Sequence, residues 1–335
     1  MPVMQNHRMG SARAGALVIA TAALVLSACG SRQTGSQPLT FGYVPASLEY
    51  PYNVSTANGF TEAAAAAGVK TVVLDPRGSV ANQANAIDDL LTQHVNAIGF
   101  LPLDSVVAES FVDRIKEKNI PVVAIALQVG DSAKRKIDDP YPGLSALVVT
   151  DNYKASLESG KMAAGVLPKG RTAKIAIVMG DPAYAIVRMN NEGFRAALDQ
   201  AHADYQVVAE QPTKWTPDEG EAVCQNFLTA HPQLDLIFSH ADDMAIGCAR
   251  AIDAANARTR VKLIATGGGS RLGYEAIRSG EIYGSICTRP KLLGELMFKA
   301  MYEAATNPNT RSGRYVTYDM PAITKDTLES CPERW

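Results

Sequence analysis

The sequence predicts an α/β protein of two lobes, each built on a mainly parallel sheet. Three observations carry that reading. Short apolar segments alternate with longer helical ones in two successive series of similar size. The apolar segments are near-continuous runs rather than alternating ones, as a parallel sheet covered on both faces requires. And 335 residues, 47% of them hydrophobic, exceed one ordinary domain and can bury a large core. Lys and Arg number 32 against 34 Asp and Glu. That near-neutral balance gives no support to a nucleic-acid partner, whose phosphates favour a clear basic excess.

The chain opens with His7, Arg8 and Arg13, an apolar run from Ala14 to Leu26, and Ser27-Ala28-Cys29. A positive start, a short hydrophobic stretch and small residues at a cut site describe a signal peptide over residues 1–28. The run falls short of the roughly 20 residues that span hydrocarbon. Residues 29–38, rich in Gly and Ser, suit a flexible tether.

From Leu39 the first series begins. LTFGYV (39–44), VKTVVLD (69–75), AIGFLP (97–102) and IPVVAIAL (120–127) read as strands. GFTEAAAAAG, NQANAIDDLLTQH and VVAESFVDRIKEKN between them have helical spacing, with Gly68 as the first stop. After ALVVTDN (146–152) the second series runs through the strands AKIAIVMG, YQVVAEQ, LDLIFSH, VKLIATG and YGSICT. Its helices include NEGFRAALDQA, EGEAVCQNFLTAHP and MAIGCARAIDAA, and KLLGELMFKAMYEAAT adds one more long helix. The boundary between the series falls near Thr150–Asn152.

Ligands of open α/β sheets bind beyond the carboxyl ends of the strands, so those positions name the candidates. Glu49, Tyr50 and Tyr52 follow the first strand, Asp104 the third, and Asp151 the fifth; Asp104 reads as a cap of the following helix that lines the cleft, or as a ligand-binding group. In the second series Arg188 lies shortly after IVMG, Trp215 follows VVAEQ, His240 and Asp242 follow IFS, and Thr288 closes SICT. Aromatic faces can stack on apolar surfaces while Arg and Asp fix hydroxyls or charges. His240 reads as a hydrogen-bonding wall residue or a core residue. No nucleophile elbow, zinc-helix motif, phosphate loop or dinucleotide fingerprint occurs, so enzyme chemistry has no carrier, and no metal or cofactor is expected. Gly267-Gly268-Gly269 reads as a tight turn with close backbone approach. Beyond Cys29, four cysteines (224, 248, 287, 331) permit three pairings, of which Cys287–Cys331 would tie down a terminal segment; four unpaired thiols stand as the alternative.

Several segments together resemble a known family. EYPYNVSTANGF, QANAIDDLLTQHVNAIGFLPLD, IPVVAI, the Asp151-Asn152 pair, RMNNEGFRAAL, DDMAIG and YEAIRSGEI follow in family order from about Thr40 to Asn307. In these the chain resembles a periplasmic-type sugar-binding lipoprotein of the ribose/galactose-binding class, the substrate-binding component of an ABC importer. LSAC resembles the bacterial lipobox, with Cys29 as the lipidated first residue of the mature chain. The resemblance implies Rossmann-like lobes joined by a three-stranded hinge, with ligand in the interlobe cleft. It divides the chain into a first lobe of 39–151 plus 289–314 and a second of 152–288 plus 315–335. It implies a monomer, held by its lipid on the extracytoplasmic face of a membrane, that captures a sugar or polyol and presents the closed form to an ABC permease. A sensor presenting that form to a membrane receptor is the alternative. Tyr50, Tyr52 and Trp215 would stack on a ring face, Arg188 would grip oxygens, and Thr288 would stand at the hinge. Ala126, Ala241 and Gly267 occupy positions where relatives carry Asp, Asn and Asp, so a ligand outside the ribose or glucose pattern is expected.

Overall fold

The computed structural model describes residues 38–132, 134–310 and 313–335. The expected signal peptide, Cys29 and the expected tether up to residue 37 lie outside the described residues. Within them the chain builds two six-stranded sheets.

The first sheet contains β1 (Thr40–Val44), β2 (Lys70–Val73), β3 (Ala97–Phe100), β4 (Val122–Ile125), β5 (Ala146–Val148) and β11 (Arg314–Val316). Its order is β11-β5-β4-β3-β1-β2 with every pair parallel. β3, β4 and β5 are buried along their whole length, which explains their unbroken apolar sequence. Helices α1 (Pro51–Ala66) and α9 (Pro290–Thr306) cover one face around Phe41, Tyr43, Phe60 and Met297. Helices α2 (Val80–Thr92) and α3 (Val107–Glu117) cover the other around Ile87, Ile98 and Phe111.

The second sheet contains β6 (Ala173–Met179), β7 (Tyr205–Pro212), β8 (Leu236–Ser239), β9 (Lys262–Ala265), β10 (Gly284–Ile286) and β12 (Ala322–Thr324). Its order is β12-β10-β9-β8-β6-β7, parallel except for β12, which runs antiparallel to β10. Helices α4 (Asn152–Val166) and α5 (Ala185–Gln200) pack on one face, where Phe194 stacks on Phe238 at 4.0 Å. Helices α6 (Pro217–Ala230), α7 (Asp242–Ala254) and α8 (Arg271–Ser279) pack on the other.

The chain passes between the sheets three times: from β5 into α4, from β10 into α9, and from β11 into β12. The expected division between 314 and 315 cuts through β11, whose three residues all pair with β5. The last passage therefore belongs to residues 317–321. A three-residue parallel strand carries too little pattern to place in one sheet or the other; its hydrogen-bonding partner decides.

One helix begins earlier than its sequence spacing suggested. α1 starts at Pro51, not after the loop through Tyr52, because Pro is pre-shaped for the first helical position and lacks an N–H that would go unpaired there. Both cysteine pairs form disulfides: Cys224–Cys248 joins α6 to α7, and Cys287–Cys331 joins the end of β10 to the last segment.

Candidate functional site

The strand ends of the first lobe are held by hydrogen bonds between neighbouring loops. Asp75 accepts from the backbone of both Leu48 and Arg77 through Oδ1, tying the loop after β1 to the loop after β2. Buried Gln83 of α2 donates to the Leu101 carbonyl at 2.7 Å and accepts from Leu103 N–H, fixing the exit of β3. β4 ends under strain: Ala126 has φ 61°, and Leu127 N–H reaches back to the Ile125 carbonyl at 2.6 Å. A side chain at positive φ is held there by its surroundings, a conformation that concentrates at ligand sites.

The second lobe offers a matching wall. Trp215 follows β7 with φ 68°, and its ring lies so close to Gly180 that a Cβ there would come within 1.9 Å of it. Glycine at 180 is thus the condition for the indole lying over the end of β6. His240, at the end of β8, is buried and bonds through Nε2 to Asn191 Oδ1 of α5 at 3.1 Å. Burial pushes its pKa down to about 3, so the imidazole is neutral, and Nδ1 has no hydrogen-bond partner. Beside it Ser156 of α4 bonds both Asn190 of α5 and Thr266 after β9, leaving the Asn190 amide nitrogen without a partner. His240, Asn191, Ser156, Asn190 and Thr266 thus form a polar group without charge.

One hydrogen bond joins the lobes here, and one electrostatic influence passes between them. Arg188 of α5 pairs with Glu192 one turn on and extends its other guanidinium nitrogen to the Ser132 carbonyl of the first lobe, at 3.5 Å. Tyr184, before α5, has its pKa raised by burial, then by Asp181 and by Tyr50 of the first lobe, so the two phenols lie near one another. Tyr50 is 46% exposed, free to cover a ligand's apolar face.

Of the residues singled out from sequence, Tyr50, Arg188, Trp215 and His240 thus stand at strand ends or on the facing walls. Glu49 is exposed beside Tyr50 in the same loop. Thr288 is buried at the second passage, with its hydroxyl donating to the Gly268 carbonyl. Asp151 caps α4 by accepting from Lys154 N–H at the first passage. Tyr52 faces the hinge side, its ring edge-on to Trp335 at 5.7 Å.

Asp104 caps the following helix, as its position suggested: its Oδ1 accepts from Val106 and Val107 N–H at 2.9 Å each at the start of α3. One assignment needs correction. Asp242 lies inside the second lobe, not on the wall. It accepts from Ser285 Oγ at 2.6 Å, and its other oxygen faces Gly273, where a Cβ would come within 2.0 Å. Burial pushes its pKa up to about 7, against the opposing Ser285 bond, with Asp243 adding a smaller rise. Being the first residue of its helix turned it into the interior, which the strand-end rule does not resolve. Sequence reasoning passed over Tyr184 and Asn191, although Tyr184 follows a strand end by the same rule that found Trp215. The pairing of Cys331 with Cys287 was expected as a tie for this segment, but the contacts of Glu333, Arg334 and Trp335 were not.

Residues 41–309 match the family model described as a periplasmic binding protein domain. The ribose import binding protein of Bacillus subtilis (strain 168) is 26% identical over 299 residues, spanning 86% of this chain and 92% of that one. The xylitol-binding protein of Mycolicibacterium smegmatis is 25% identical over 332 residues, spanning 95% and 87% respectively. In fold, the chain is similar to an ABC transporter solute binding protein from Bacillus halodurans solved with bound myo-inositol, with TM-score 0.78 at 19% identity, covering 89% of this chain and 98% of that one.

Proposed function

The chain belongs to the periplasmic binding protein domain family, and from that premise we propose that it captures a sugar or polyol between its lobes and delivers it to an ABC permease. The family implies an extracytoplasmic location; we add that Cys29 carries a lipid that holds the protein to the membrane. The observation that carries the reading is the hydrogen bond from Arg188 to the Ser132 carbonyl, which brings a helix beyond a strand end of the second lobe to a loop beyond a strand end of the first. A ligand there meets aromatic faces from both lobes, and Arg188, on turning from Glu192 and Ser132, offers a fork of donors that fits two adjacent oxygens.

The chemistry of the walls narrows the ligand. Positions 126, 241 and 267 carry Ala, Ala and Gly, so no carboxylate stands there to pair vicinal hydroxyls. The neutral His240 imidazole and the Asn191 amide support recognition of an uncharged compound, and the aromatic residues favour one with an apolar face. The named ligands of relatives, ribose, xylitol and myo-inositol, lie in the proposed class.

A thermal-shift screen of pentoses, hexoses, furanoses, polyols and deoxy sugars tests the proposal. A compound that binds the folded form alone must raise the midpoint; a flat response across the panel at millimolar concentration overturns it. With a hit in hand, Arg188→Ala should weaken binding at least tenfold, about 1.4 kcal/mol. Cys29→Ala should release the protein from membranes, and unchanged partitioning refutes the anchor.

A further inference from the structure

The segment 331–335 makes contacts to both lobes that the ligand-capture reading does not require. Cys331 is buried in the core of the second lobe and bonded to Cys287 at the second passage. Arg334 lies over the Tyr274 ring of α8 at 3.8 Å and pairs with Glu329. Trp335 exchanges backbone bonds with the same lobe: its N–H donates to the Gly269 carbonyl, and its carbonyl accepts from Arg271 N–H. By these contacts the segment is fixed to the second lobe.

Its remaining side chains reach the first lobe. α9 has no capping side chain of its own at Arg289. Glu333 supplies the missing acceptors, taking Lys291 N–H on one carboxylate oxygen at 3.0 Å and Leu292 N–H on the other at 3.1 Å. A carboxylate at a helix amino end satisfies otherwise unpaired donors and meets the positive end of the helix dipole. Trp335 meanwhile sets its ring against Tyr52 in the first turn of α1. The two first-lobe helices so gripped are the pair that packs together on that lobe's sheet.

We propose that residues 331–335 are a disulfide-anchored clasp in which Glu333 and Trp335 act as positioning residues that hold the hinge toward its closed angle. Rotation of the lobes apart must either pull Glu333 from α9 and Trp335 from Tyr52 or tear the segment from the second lobe, where the Cys287–Cys331 bond resists. The clasp thus shifts the open–closed balance in the ligand-free protein, whatever the ligand is.

The test uses ligand-free protein with residues 332–335 removed, together with Glu333→Ala, Glu333→Gln and Trp335→Phe. Small-angle scattering should give a larger radius of gyration for the truncated form and for Glu333→Ala than for wild type, with unchanged far-ultraviolet circular dichroism. Glu333→Gln, which keeps one acceptor oxygen, should fall between. Hydrogen exchange over 290–294 should accelerate about fivefold in Glu333→Ala, the equivalent of a lost cap of about 1 kcal/mol. Faster exchange with an unchanged radius of gyration would make Glu333 a cap only and overturn the clasp, as would unchanged values of both. Should the truncated form fail to fold, the scattering of Glu333→Gln and Trp335→Phe decides on the same terms.

Discussion

The helix pair α1–α9 in the first lobe and the pair α6–α7 in the second solve one packing problem with different means. In both, the helices approach so closely that a glycine on each faces the other's backbone. A Cβ on Gly59 would come within 2.0 Å of the Lys291 carbonyl oxygen, and one on Gly294 within 2.0 Å of that of Thr56. In the second lobe a Cβ on Gly220 would lie 2.4 Å from the Met244 carbonyl oxygen, and one on Gly247 1.8 Å from that of Pro217. Only the α6–α7 pair adds a covalent bond, Cys224–Cys248. Close backbone approach is thus sufficient for helix packing in the first lobe, and the disulfide in the second supplies something further: it restrains the unfolded chain and forbids the pair to slide.

The largest expected effect comes from removing that bond. Cys224→Ala with Cys248→Ala opens a loop 24 residues long in sequence separation, and should cost about 3 kcal/mol, read as a lowered denaturant midpoint. If the midpoint holds, the glycine contact alone carries the pair and the contrast between lobes dissolves. Next in size, Gly294→Ala and Gly247→Ala should each destabilise by about 1–3 kcal/mol, since the clash is with backbone. The two should part company when the disulfide is absent. Helices that can slide relieve the clash, so Gly247→Ala should cost at least about 0.5 kcal/mol less in the cysteine-free background. Gly294→Ala should cost the same in both.

A third difference lies in titration. Asp242 and His240 flank Ala241 in the second lobe, both buried, with opposite displacements. Asp242 titrates near 7 in the folded protein, above its unfolded value, so the stability tied to its protonated form is complete in acid and is lost as pH rises through 7. His240, displaced down to about 3, contributes stability above its unfolded value of 6.5 that is lost as pH falls toward 3. Asp242→Asn should therefore gain on wild type as pH rises from 5 to 8, by on the order of 1.4 kcal/mol for each pH unit below 7 that is crossed. A pH-independent difference in melting midpoint between the two proteins would remove Asp242 from this role. Smallest of all, Arg188→Ala should leave stability within about 0.5 kcal/mol, because its pairing with Glu192 is an exposed one-turn ion pair. A larger loss would make Arg188 structural and weaken its place at the cleft.

Much of the fold was legible because buried parallel strands leave unbroken apolar runs. AIGF, VVAI and LIFS each sit wholly buried at the segment where sequence placed them. The candidate site was legible in part. The strand-end rule singled out Tyr50, Arg188, Trp215 and His240, and the fold places them at strand ends or just beyond. It put Asp242 there too, whereas the Ser285 hydroxyl holds that carboxylate inside the lobe, a direction that no local pattern records.

What the sequence determined by itself is the series of βα units, because periodicity and apolar run length are local properties of the chain. It also determined that Ala126, Ala241 and Gly267 bring no carboxylate or amide to their strand ends, since composition at a position needs no coordinates. What only the tertiary structure decided is which segments meet: that β11 pairs in the first sheet, that Cys224 finds Cys248, and that Glu333 caps a helix that begins 43 positions before it, at Pro290. Such contacts bring together residues remote in sequence, and no local pattern records their partner.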